Sequence, residues 1–225
     1  MRLKTNSPLD KMLNGGLEDD TITNIFGPAG SGKTNITISS ALSCLKSGNK
    51  VVYIDTEGSF SLERFYQMGG GEKDLKNILL VDVHTWEEQC KCFVDLENIV
   101  NENKAGLVVV DSMSSLYRLE VDIKKFYDTN KQLATQYSIL SKITRKCRIP
   151  VLVTNQVYSV GEKIEVTSRM ITKYWSKTMI ELKRLEKENT RLAVLRKHRS
   201  MPENTKIEFE ITSSGIRETG KFSIF

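Results

Sequence analysis

The stretch Thr21-Ile22-Thr23-Asn24-Ile25-Phe26 runs directly into Gly27-Pro28-Ala29-Gly30-Ser31-Gly32-Lys33-Thr34, and this junction decides the fold. A short β-branched run reads as a strand, the next eight residues fit GxxxxGK[ST], and a helix-compatible stretch follows. Each residue type has a physical task. Glycines let backbone N–H groups turn inward around phosphate oxygens, and the helix adds the positive end of its dipole. Lys33 supplies a point charge to β- and γ-phosphates, and Thr34 offers a hydroxyl to Mg²⁺.

Working outward, short apolar runs alternate with longer amphipathic ones: VVYIDTE then SLERFYQMG, NILLVDV then EEQCKCFVDLENIVNENK, LVVVDS then a long helical pattern, and finally PVLVTNQ. Such alternation builds a mostly parallel sheet covered on both faces, so the fold class is α/β. Leu133, Tyr137, Leu140, Ile143 and Cys147 recur at helical spacing and predict a helix from Asp122 to Arg148. From Tyr158 to Lys173 no period persists, which predicts an irregular surface loop over about residues 157–173. MIELKRLE, TRLAVLRKH, KIEFEIT and GIRE then read as a C-terminal antiparallel extension, with a hairpin turn before Ile216.

With 225 residues, 39% hydrophobic and 27% charged, the chain reads as one globular domain over 1–225 that needs no disulfide or metal staple. Its apolar runs are strand-length, well short of the roughly 20 residues of a membrane span, and the N-terminus lacks a secretory apolar core. An intracellular, cytoplasmic address is expected. Cys90 and Cys92 lie too close together for a CxxC clip, and His84 and His198 stand apart from other ligand types, so the cysteines read as reduced, mostly buried thiols.

A phosphate loop needs a carboxylate at the end of a neighbouring strand to orient the metal. The run Leu107-Val108-Val109-Val110-Asp111 places Asp111 there, partly through water. VVYIDTEGSF offers Asp55 and Glu57 as carboxylates able to orient a hydrolytic water, and spacing does not choose between them.

In order along the chain, GPAGSGKT, YIDTEGSFSLERF, LVVVDS and LVTNQV resemble the RecA/RadA-type recombinase ATPase core, and TNSPLDKMLNGGLEDDTITNIFG is similar to the segment that precedes its phosphate loop. Length and the KHRSMPE pattern resemble the short archaeal paralogs of that family. The resemblance implies a RecA-like fold, ATP and Mg²⁺ as ligands, and Glu57 as the catalytic carboxylate. It also implies that Gln156 in TNQV senses the γ-phosphate and leads into a DNA-facing loop, and that Arg64 in SLERF packs on adenine. Lys197 and Arg199 in KHR resemble a basic finger offered to a neighbouring subunit's nucleotide; a solvated basic strand edge is the competing reading. Relative to full recombinases the chain starts almost at the core, without the helical N-terminal DNA-binding domain, and has one short segment after Gln156 where they carry two DNA loops. Autonomous strand exchange is therefore not expected.

Formal net charge is +5, and residues 157–206 alone hold twelve Lys+Arg against six Asp+Glu, so the positive excess is concentrated beside the expected DNA-facing loop. Lys163, Arg169, Lys173 and Lys177 flank Tyr174, which suits phosphate contacts and base stacking on single-stranded DNA of low sequence specificity, with Trp175 read as starting a core strand. The leading reading is an ATP- and DNA-binding mediator of homologous recombination and DNA repair, a weak or conditional ATPase that partners a full-length RadA-type recombinase and self-associates. An alternative is a nucleotide-dependent interaction module, akin to circadian-clock-like RecA ATPases, with little DNA role. A third is a phosphate-loop enzyme acting on a small substrate, for which the sequence offers no acceptor-binding lid.

Overall fold

In the computed structural model, residues 2–122, 124–160, 163–166 and 169–223 are described, except for the side chains of 158–160, 163–166, 169 and 220–223. The chain opens with a small antiparallel pair, β1 (Arg2–Leu3) and β2 (Leu17–Glu18), around the short helix α1 (Leu9–Met12). The β-branched runs then form β3 (Ile22–Phe26), β4 (Lys50–Asp55), β5 (Ile78–Asp82), β6 (Ala105–Asp111) and β7 (Val151–Asn155). Amphipathic stretches between them form α2 (Lys33–Lys46), α3 (Leu62–Gln67), α4 (Glu72–Leu75), α5 (Trp86–Asn103), α6 (Ser115–Glu120) and α7 (Phe126–Cys147). Thr85 starts α5 with a capping box: its hydroxyl accepts from the Glu88 N–H while the Glu88 carboxylate accepts from the Thr85 N–H.

Among the described residues, nine strands make one sheet in the order β13-β12-β11-β10-β3-β7-β6-β4-β5, which includes β10 (Thr178–Arg184), β11 (Thr190–Lys197), β12 (Lys206–Thr212) and β13 (Gly215–Ser223). Adjacent residues of one strand serve opposite cores. Val51, Tyr53, Leu107 and Val109 pack with α2 and Phe65, whereas Val52, Ile54, Val108 and Val110 pack with α5, α7, Trp86 and, at its edge, Trp175. This two-sided burial is why the strands read as unbroken apolar runs.

Two expectations are corrected. Residues 157–173 are not irregular throughout: Val157–Val160 (β8) and Lys163–Val166 (β9) pair antiparallel, and Arg169–Trp175 forms helix α8. Four-residue strands and a seven-residue helix are too short to display a period, and RMITKYW has a strand-like composition. Trp175 therefore ends a helix instead of starting a strand. The antiparallel extension runs as expected through β10, β11, β12 and β13, and it joins the parallel part of the sheet where β10 pairs parallel with β3. A parallel pairing needs a long crossover, and the segment containing α8 supplies it. The four cysteines are free, with Cys44 buried and the other three half-buried.

Candidate nucleotide site

Strand register brings the chemistry together. Asp55 lies beside Asp111 and Phe26 beside Asn155, so the loops leaving β3, β4, β6 and β7 emerge at one end of the sheet. Ala29, Gly30, Gly32, Lys33, Thr34, Asn35, Glu57 and Gln156 line a cleft of about 180 Å³ there. The phosphate loop is seated against β10: a Cβ on Gly27 would lie 2.5 Å from the Leu182 carbonyl oxygen, so no larger residue fits.

Lys33 is buried, and its ammonium donates to the Gly27 and Pro28 carbonyls at 3.0 and 3.1 Å. Burial holds its pKa below the usual lysine value against the opposing pull of Glu57 and Asp111. Ser31 Oγ is buried without a hydrogen-bond partner among the described residues, an orphaned polar atom inside the loop where phosphate oxygens are expected.

Asp111 is 2% exposed and surrounded by hydroxyls. Thr154 Oγ1 donates to its Oδ1, while Tyr53 Oη and Ser59 Oγ donate to its Oδ2 at 3.0 and 3.2 Å. Burial raises its pKa, with the Glu57 charge adding to the rise and the hydrogen bonds from Thr154, Thr34 and Tyr53 opposing it. Ser59 also accepts from Thr34 Oγ1 at 3.4 Å, which joins the two expected metal-side residues. This oxygen-only set fits Mg²⁺, an ion that completes its shell with water and phosphate and needs no protein cage. Among the described residues no group of three or more His, Cys, Asp or Glu is placed to hold a metal.

Asp55 and Glu57 are placed differently. Asp55 accepts from the backbone N–H groups of Glu57, Ser59 and Phe60 at 2.8–3.2 Å and so shapes the loop. Glu57 faces the cleft, where its Oε1 accepts from Ser112 Oγ at 2.6 Å and Gln156 Nε2 at 3.0 Å. Gln156 Oε1 accepts from Arg118 at 2.9 Å. Behind Gln156, Asn155 donates to Tyr137 Oη at 3.1 Å, and that hydroxyl lies 3.3 Å from Thr172 Oγ1 in α8. A polar chain therefore runs from the cleft to α8.

Arg64 is not a free helix arginine. Its guanidinium donates to Asn35 Oδ1 at 2.6 Å and to the carbonyls of Thr212, Ser213 and Gly215 at 2.8–3.3 Å, tying α3 to the β12–β13 turn beside the loop. Lys197 and Arg199 are not brought onto one target. Lys197 donates to the Lys173 and Ser176 carbonyls at the end of α8, and Arg199 pairs with Asp20 and Glu18. Because β11 runs antiparallel to β10, both lie at the sheet end away from their own phosphate loop, whereas Arg184 and Arg191 stand beside it.

Of the DNA candidates, the side chains of Lys163 and Arg169 lie outside the described residues. Lys173 and Lys177 are exposed, and Tyr174 is 72% exposed with its ring edge-on to Trp175 at 5.2 Å. Tyr174, Trp175 and Lys177 share a depression of about 220 Å³ with Arg145 of α7. Ser59, Ser112, Arg118 and Arg191 also went unread. Only the first two carry a local signal, each lying within a few residues of a strand-end acid.

Known proteins fit this geometry. The family model described as Rad51 matches residues 1–219. "DNA repair and recombination protein RadB" of Methanococcus maripaludis is 41% identical over 217 residues, covering 95% of this chain and 99% of that protein. The protein of the same name from Methanobrevibacter smithii is 39% identical over 224 residues, covering 96% and 95%. A solved structure described as the RadB recombinase superposes with a TM-score of 0.83 at 35% identity, covering 96% of this chain and 99% of that one. The strand order, the strand-end site and these matches along nearly the whole chain agree: the chain belongs to the Rad51 family.

Proposed function

We propose that the chain is an ATP- and DNA-binding accessory protein of homologous recombination and DNA repair, a weak or conditional ATPase that assists a full-length recombinase and does not exchange strands alone. The observation that carries this reading is the convergence of Lys33, Thr34, Glu57 and Gln156 on one cleft, with buried Asp111 joined to Thr34 through Ser59. When bound, Mg²⁺ supplies charge neutralisation across the phosphates. Thr34 and Asp111 would hold it, Lys33 would exchange its two loop carbonyls for phosphate oxygens, and Glu57 would orient and accept a proton from water. Conditional turnover is supported by the state of Glu57, whose Oε1 is already engaged by Ser112 and Gln156. A contact that moves Gln156 removes one of these two donors, and the chain through Asn155, Tyr137 and Thr172 offers a route from α8. DNA binding is supported by exposed Lys173, Tyr174 and Lys177, and a place in DNA repair and recombination by the named relatives, which are DNA repair and recombination proteins.

The test is ATP hydrolysis measured alone, with single-stranded DNA, and with a full-length recombinase from the same cell. Slow turnover that rises with either addition is the expected result. Absence of nucleotide binding together with failure to retain single-stranded DNA at low salt overturns the reading. Normal repair with Glu57→Gln but not with Lys33→Ala favours the interaction module instead.

A further inference from the structure

Arg184 and Arg191 are direct cross-strand partners at the end of the β10–β11 ladder. Like charges placed opposite one another are destabilising unless something nearby engages them. What lies nearby is the phosphate loop. Arg191 Nε donates to the Gly30 carbonyl oxygen at 3.0 Å and its Nη1 to the Thr190 carbonyl at 2.9 Å, while a Cβ on Gly30 would sit 4.0 Å from Arg184 Nη1. Burial and the neighbouring Arg184 both hold the Arg191 guanidinium below its ordinary pKa, as expected for a cation pressed onto protein by a like charge.

The bond falls at a sensitive place. Gly30 has φ +70°, where the loop reverses, and the next N–H, that of Ser31, donates to the Pro28 carbonyl at 3.2 Å. The peptide plane between Gly30 and Ser31 is therefore held from both sides, its carbonyl by Arg191 and its N–H by Pro28. Phosphate loops bind through inward N–H groups, so a flipped plane would present a carbonyl oxygen to an anion. A guanidinium donates only, and it is compatible with one orientation of that plane.

We propose that Arg191 is a positioning residue of the phosphate loop, fixing the Gly30–Ser31 peptide with its carbonyl outward and so setting the affinity for the phosphates of a nucleotide. This rests on the reading of residues 27–34 as a nucleotide site. The sequence drew attention to Lys197 and Arg199 on the same stretch of chain; strand direction gives the task near the chain's own loop to the residue at the opposite end of β11.

Calorimetric titration with ADP and with ATPγS, and hydrogen exchange of the loop amides in nucleotide-free protein, test the role. Arg191→Ala is expected to weaken both ligands about tenfold and to speed exchange at residues 31–34, with little change in melting temperature. Arg191→Lys, which restores a charged donor, is expected to recover affinity to within about threefold, and the exposed Lys187→Ala in the same hairpin to stay within about twofold of wild type. Wild-type binding and wild-type exchange in Arg191→Ala overturn the role of Arg191 alone. A loss in Arg191→Ala that tracks a fall in melting temperature and is not rescued by lysine overturns it too, in favour of simple packing. Wild-type protein that binds neither nucleotide overturns the site reading and this role with it.

Discussion

Gln156 donates to Glu57 at 3.0 Å, and its orientation is set from the other side, because Arg118 can only donate and must meet the amide oxygen. The amide nitrogen is left to face the carboxylate, which can only accept. On the proposed function, Glu57→Gln takes away the group that would accept the proton, and it should lower hydrolysis by about 10²–10⁴-fold while leaving nucleotide affinity nearly unchanged. Single-turnover hydrolysis alongside equilibrium binding separates the two effects. Equal losses in both would assign Glu57 to binding.

Lys33→Ala should act on binding. The side chain is buried against the loop carbonyls it would leave for phosphate, and charge-assisted bonds of this kind contribute about 1.5–3 kcal/mol each. A fall in ATP affinity of about 10²-fold is expected, with the nucleotide-free protein no less stable, since a cation disfavoured by burial has been removed. Calorimetry and thermal melting check both halves.

Arg64 offers a structural prediction beside its resemblance-based role at adenine. Arg64→Ala breaks three carbonyl contacts to the β12–β13 turn and one to Asn35, and should destabilise the fold by about 1–3 kcal/mol in urea. Lysine should rescue poorly, because a single ammonium cannot span contacts made by a planar fork.

His198 sets a pH dependence. Its side chain is 1% exposed, Nδ1 accepts from the Ser200 and Met201 N–H groups at 3.1 and 3.2 Å, and Nε2 points at Glu18 across 3.9 Å. Burial lowers its pKa, with Arg2 and Arg199 adding to the fall and Glu18 opposing it. A histidine depressed in the folded state binds fewer protons there than when unfolded, so stability should decline as pH falls from about 6.5 toward the folded value. Urea midpoints at pH 7.5 and 5.5 should differ more in wild type than in His198→Gln.

For DNA, Lys173→Ala combined with Lys177→Ala should weaken single-stranded DNA binding similarly across sequences and reduce the slope of log K against log salt by about 1–2. Tyr174→Ala should weaken binding at all salts by about 1–3 kcal/mol without changing that slope. Fluorescence anisotropy over a salt series separates the charge and stacking contributions.

The parts legible in the sequence are those whose signal is contiguous: the phosphate loop, Asp111 closing an apolar run, and the two-sided strands. Glu57 needed the resemblance, because Asp55 sits two residues away with equal chemistry, and only the direction of the loop separates a turn-former from a cleft residue. Arg118 and Arg191 were hidden because their partners lie 38 and 161 residues away. The parallel pairing of β10 was hidden for a related reason: period reports which face is buried and carries no sign of strand direction. Helix α8 fell below the length at which a period can be read.

The chain has two tryptophans, and both Trp86 and Trp175 belong to the core on the face opposite α2. Intrinsic fluorescence is therefore an inherently one-sided optical reporter. Ligand seated among residues 27–34 touches neither indole, so a change in emission on adding nucleotide registers strain transmitted through the sheet, without any attached dye.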